Sequence, residues 1–111
     1  MKGFQLIFFT QQNHQHGGLP LCEWLMREAR AIGVQGATVM AASEGYGRSL
    51  KLHAAHFFEL ADQPVQVTML TSEALANTLL HRLREEGLKI FYARVPIEFG
   101  STEDWDDPIN P

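Results

Sequence analysis

Two stretches of the chain combine residue types that can hold an anion. In Gly33-Val34-Gln35-Gly36-Ala37-Thr38-Val39 a helix stop, a tight turn and a short β-branched strand follow one another. Shortly afterwards, Glu44-Gly45-Tyr46-Gly47-Arg48 sets two glycines beside a cation. Lacking Cβ atoms, Gly45 and Gly47 let backbone N–H groups approach a phosphate closely. Arg48 would meet that phosphate with a planar, permanently charged fork. The same residues also make an ordinary turn, so on its own the stretch leaves both readings open.

Histidines suggest a second chemistry. His53 and His56 lie three apart, on one face of a helical turn but on opposite faces of a strand. His14 and His16 lie two apart in a polar loop. Neither pair has the cysteines or the fixed-spacing carboxylate of a zinc pattern, so solvated or capping histidines are expected, with metal at His53 and His56 as the alternative. A threefold axis would change that arithmetic, because one histidine per copy becomes three ligands. Catalytic motifs are missing: there is no Gly-x-Ser-x-Gly elbow, Walker motif or His-Glu-x-x-His. Cys22 lies on an apolar helical stripe and reads as a small buried hydrophobe. Glu44 reads as a solvated loop carboxylate. The expectation is a protein that binds rather than catalyses.

Composition narrows the partners. A net charge of -4 leaves no broad basic face for nucleic acid. Much of the acidity is local, in Glu103, Asp104, Asp106 and Asp107. The single Cys22 fits a reducing compartment, and Phe4 to Phe9 is too short to span a bilayer, so a cytoplasmic protein without membrane insertion is expected. At 111 residues there is room for one domain, read as residues 1–100, followed by an acidic segment at 101–111.

The elements that must position these groups follow from periodicity. Phe4 to Phe9 reads as a buried strand and Gln11 to Gly18 as a loop. Leu19-Pro20 opens a helix whose stripe is Cys22, Leu25, Met26, Ala29 and Ile32, with a Glu23–Arg27 pair and a stop at Gly33. Trp24, off that stripe, implies a second buried contact, with another copy of the chain as a candidate. Ala37 to Ala42 is the second strand, residues 43–63 are a long excursion, and Val65, Val67 and Met69 alternate along a third strand opened by Pro64. Ser72 caps a second helix with stripe Leu75, Ala76, Leu79, Leu80 and Leu83, ended by Gly87. Lys89 to Ile97 is the fourth strand, with pairing expected to weaken at Pro96. The order β-α-β-β-α-β predicts an α+β, ferredoxin-like sandwich, with two helices on one face of a four-stranded antiparallel sheet. The open face, expected to carry Ile7, Phe9, Ile90 and Tyr92, predicts an oligomer.

The segment from Gly33 to Arg48 resembles the helix end, second strand and T-loop entry of the PII signalling proteins, and Lys89-Ile90-Phe91 after Gly87 resembles their lysine-bearing turn. A nearer resemblance is to the PII-like family DUF190. It rests on His16-Gly17-Gly18-Leu19-Pro20-Leu21, the Gly-Ala-Thr-Val strand, the glycine-aromatic-glycine turn, Leu52-His53-Ala54-Ala55 and the run Leu60 to Pro64. The resemblance implies a cytoplasmic homotrimer that binds a small anionic effector, expected to be an adenine nucleotide, in clefts between copies. No obligatory cofactor is implied, and a membrane transporter or other protein would be regulated through the 43–63 loop. It assigns Thr38, Gly45, Gly47, Arg48, Lys89 and Arg94 to ligand binding. PII carries two glycines before its lysine where this chain has Glu86-Gly87-Leu88, which points to a mono- or dinucleotide or another small anion. The alternatives are a trimeric metal-binding protein similar to the CutA type, using His53 and His56, and a small ferredoxin-like enzyme.

Overall fold

The computed structural model of the protein describes residues 1–42, 44–46, 52–54 and 63–107. Gly47, Arg48 and His56 lie outside the described residues. The elements are β1 (Lys2–Gln11), β2 (Gln15–His16), β3 (Leu19–Pro20), α1 (Leu21–Ile32), β4 (Ala37–Ala41), β5 (Glu44–Tyr46), β6 (Leu52–Ala54), β7 (Pro64–Thr71), α2 (Glu73–Glu85) and β8 (Phe91–Glu98), followed by a 3₁₀ turn at Thr102–Asp104. The main sheet has the order β4-β7-β1-β8 with every neighbouring pair antiparallel. β1 and β4 therefore run parallel with β7 between them, and β7 and β8 run parallel with β1 between them. Each split βαβ unit spans its gap with one helix, and this produces the α+β, ferredoxin-like sandwich.

Alternation decides which face meets the helices. Leu6 and Phe8 of β1, with Val67 and Met69 of β7, are fully buried against Leu25 and Ala29 of α1 and Ala76 and Leu79 of α2, and Val65 is buried on the same face of β7. Both helices end as their sequences indicate, with Gly33 at φ 108° and Gly87 at φ 74°. Ser72 Oγ accepts the Leu75 amide at 3.3 Å, so the second helix starts on its cap. Glu23 and Arg27 pair at 3.0 Å on the exposed face of α1. No helix among the described residues is long and apolar enough to cross a membrane.

Several boundaries differ from the sequence reading. β1 continues to Gln11, because Thr10 and Gln11 pair with Val65 and Pro64. The expected loop holds a short hairpin, β2 with β3, whose central residues Gly17 and Gly18 have φ of 61° and 79°. Two positive φ values in succession make the type I′ turn that suits a two-residue connection. Pro20 is the residue before α1 rather than its first turn, because its ψ of 137° is extended. Pro96 does not end the fourth strand: pairing with β1 runs through Phe4↔Pro96 to Lys2↔Glu98. As β8 is an edge strand, its outer side has no ladder partner among the described residues, which makes a missing N–H tolerable there.

The open face also needs correcting. Register places Phe8 opposite Tyr92 and Phe9 opposite Phe91. Tyr92 therefore shares the helix side with Phe8, and Ile90 packs against the core. Ile7 and Phe9 do lie on the open side, joined by Phe91 and Val95. The Phe9 and Phe91 rings meet at 5.6 Å between centroids. Phe91 is 55% exposed, and Met40, Leu70 and Val95 are also exposed there.

Candidate functional site

The turn between α2 and β8 is the best-organised polar site among the described residues. α2 ends at Glu85, and Glu86 follows Arg82 by one helical turn, so the Arg82 Nη1 donates to Glu86 Oε1 at 2.6 Å. The other carboxylate oxygen accepts from His16 Nε2 at 2.9 Å, across seventy positions of sequence. Arg82 also reaches Glu28 of α1, with Nε 3.4 Å from Oε2. His16 is delivered by the β2–β3 hairpin and steadied by Trp24, whose ring it meets edge-to-face at 4.7 Å. Trp24 thus has its second contact within the chain. Glu86 ties the hairpin and α2 to the turn before β8, and Arg82 extends the network to α1 through Glu28.

The charge balance follows from these contacts. The His16 hydrogen bond, and then Arg82, hold the Glu86 carboxyl below its ordinary range. The Glu86 hydrogen bond raises Arg82 further above its already basic value. Further along the same turn, Lys89 is exposed and has no ion pair among the described residues. Glu86, the acidic neighbour that would weaken an anion site, is engaged on both oxygens by His16 and Arg82. Among the described residues, Lys89 is left as the uncompensated charge of the turn.

The remaining predicted residues are spread over the sheet. Thr38 lies on edge strand β4, exposed on the open face opposite Thr68. Gly45 lies in β5, which pairs with β6 so that Gly45 faces His53. Arg94 lies on the opposite edge and the opposite face: it pairs with Leu6, donates to Asn77 Oδ1 at 2.7 Å and stacks 3.9 Å over the Phe4 ring. These contacts hold Arg94 on α2 and β1. The antiparallel registers put Ala41, Pro64, Gln11 and Phe91 at the same end of the sheet. The excursion after Ala42 and the Lys89 turn therefore leave from one end, but from opposite edges, with two strands between them. One chain does not bring Thr38, Gly45 and Lys89 together.

His14 is likewise occupied, with Nδ1 2.9 Å from Thr10 Oγ1. No group of three or more His, Cys, Asp or Glu side chains among the described residues could hold a metal ion. The His16–Glu86–Arg82 arrangement is not legible as a unit before folding. The four-residue spacing of Arg82 and Glu86 is available in the sequence, but the long-range partner His16 is not.

Comparison with known proteins places the chain among relatives of this architecture. Residues 3–92 match the sequence family DUF190 (Uncharacterized ACR). A UPF0166 protein of Aquifex aeolicus (strain VF5) is 29% identical over 80 residues, covering 71% of this chain and 76% of that protein. Among solved structures, CPII from Thiomonas intermedia K12, a nitrogen regulatory PII-like protein bound to ADP, AMP and bicarbonate, superposes with a TM-score of 0.65 at 17% identity. The match covers 90% of this chain and 97% of CPII. A PII-like signalling protein from Thermus thermophilus gives a TM-score of 0.60 at 18% identity over 86% of each chain.

Proposed function

The chain belongs to the DUF190 family and has the PII-like fold, and on that premise we propose that it is a ligand-responsive regulator rather than a catalyst. It works as a homotrimer in the cytoplasm and binds an adenine nucleotide between copies. CPII was solved with ADP and AMP, and that ligand class is extended here to this chain. The observation that carries the reading is Lys89: an exposed cation on a turn whose one competing carboxylate is taken by His16 and Arg82. Lys89 and the Thr38–Gly45 edge stand on opposite sides of the sheet, so a site using both needs an edge from each of two copies.

In this mechanism the phosphates meet Lys89 of one copy and the Gly45 to Arg48 segment of the next. Ligand binding shifts the 43–63 segment between partner-binding and partner-free populations, and the size of that shift is set by the effector's differential affinity for the two. The regulated partner is a membrane transporter or another protein.

Calorimetric titration of the size-verified oligomer with ATP, ADP, AMP and cyclic AMP, with and without Mg²⁺, tests this directly. Saturable binding at one site per chain is expected. Replacing Lys89 or Arg48 by alanine removes a hydrogen bond to a charged group, about 1.5–3 kcal/mol, or roughly a 10- to 150-fold rise in Kd. Absence of heat with every nucleotide on a confirmed oligomer would sink the reading, and unchanged affinity in both variants would sink the residue assignment.

A further inference from the structure

A groove of about 440 Å³ runs between α2 and edge strand β8, on the helix side and away from Thr38 and Gly45. Leu80, Leu83, Leu88, Ile90 and Tyr92 form its apolar walls, and Arg84 stands at its rim. His81, also at the rim, is paired with Glu85 at 2.9 Å. Arg84 is exposed and has no side-chain partner among the described residues. The groove therefore offers an apolar trough with one uncompensated cation, the usual form of a site for an aromatic or aliphatic group carrying negative charge.

The chain itself contains such a group. Trp105 is 63% exposed, and four carboxylates (Glu103, Asp104, Asp106 and Asp107) flank it. Its Nε1–H is already satisfied by Asp107 Oδ1 at 3.0 Å, so what remains in water is the apolar ring. A tryptophan buries about 150–250 Å² when enclosed, which makes leaving this one out costly.

Its own groove is out of reach. The groove lies at the start of β8, beside Tyr92, whereas the chain leaves β8 at Glu98, opposite Lys2. Six residues of strand separate the two ends, about 20 Å. The exit is tied down, because the Phe99 amide donates to the Met1 carbonyl at 2.8 Å and the Met1 ammonium donates to the Phe99 carbonyl at 3.0 Å. The Thr102–Asp104 turn then shortens the path, at about 2 Å per residue. From Phe99, six residues that include this turn do not run back along the strand.

We propose that the acidic, tryptophan-bearing segment 101–107 of one copy docks in the α2–β8 groove of another, with Trp105 in the apolar trough and its carboxylates facing Arg84. No residue of the proposed effector site lines the groove, but Lys89 stands between its wall residues Leu88 and Ile90.

The test uses the full chain carrying Trp24→Phe, so that Trp105 is the only tryptophan. Its emission and acrylamide quenching are followed from dilute protein to concentrations where sedimentation shows an oligomer. On assembly, a blue shift and a several-fold drop in the quenching constant are expected, both reversed by Arg84→Glu. A chain that stays monomeric, or a Trp105 that quenches as free indole in the assembly, overturns the proposal and leaves the groove to another occupant. If Arg84→Glu fails to fold, His81→Cys with Asp106→Cys in a Cys22→Ser background, which keeps Trp105, supplies a second measurement. An interchain disulfide under mild oxidation is expected, and its absence overturns the proposal equally.

Discussion

Glu86 decides what the turn before β8 presents to solvent. Its carboxyl titrates below its ordinary value of 4.5, mainly through the His16 hydrogen bond and then through Arg82. Between the depressed folded value and the ordinary one, the unfolded chain binds a proton that the folded chain does not, so stability rises with pH across that window. The contribution is complete above the unfolded value and is lost as pH falls through the folded one. Urea midpoints measured from neutral pH to about pH 3 should therefore drop in acid more steeply for the native chain than for Glu86→Gln. Parallel curves would mean that the carboxylate contributes nothing through these contacts. The same substitution leaves Lys89 more positively surrounded, so anion affinity at the turn should rise rather than fall. Gly3 gives a second prediction at this scale. A Cβ there would run into the Thr71 carbonyl and the Phe99 ring, so Gly3→Ala should cost about 1–3 kcal/mol in chemical denaturation.

Among the elements, the helices are the most legible and the first connection the least. Ser72 announces α2 by its chemistry, and Ser72→Ala should lower stability by about 0.5–2 kcal/mol and reduce Tm by several degrees. The stripes Leu25–Ala29 and Ala76–Leu79–Leu83 are readable because burial repeats at the helical period. Gln11 to Gly18 reads as loop in the sequence, since two-residue strands have no period to detect. The β2–β3 pairing and the successive positive φ values of Gly17 and Gly18 reveal the hairpin, and Gly18→Ala should cost about 1–2 kcal/mol, because no neighbouring atom is close enough to offset the strain. Alternation separates the two faces of β8 in the sequence. Which of them turns outward depends on register with β1, a long-range fact. Register also explains why the site is only partly legible. Lys89 can be picked out from its turn, whereas the His16–Glu86 bond joins residues that only the finished fold brings together.

For the molecule as a whole, the open sheet face sets the terms. Phe9 and Phe91 meet there at a tilt of 43°, and Met40, Leu70 and Val95 are exposed on the same face, an apolar surface of the kind that marks an interaction site. Phe91→Glu should dissociate the proposed assembly without unfolding the chain, giving monomers by sedimentation with an unchanged far-ultraviolet spectrum. An oligomer of unchanged size would show that copies meet elsewhere. At the same end of the sheet as Phe91, the Ala42 amide donates to the Pro64 carbonyl at 2.8 Å and the Gln12 amide to the Gln63 carbonyl at 3.0 Å. These two bonds close the base of the excursion on the sheet itself, with its ends held about one strand spacing apart, near 5 Å. Closing a segment twice as long between such fixed ends costs only about 0.6 kcal/mol more. Whatever the stretch between Ala42 and Gln63 is asked to recognise, selection can rewrite or lengthen it as an exchangeable cassette while the scaffold beneath stays unchanged.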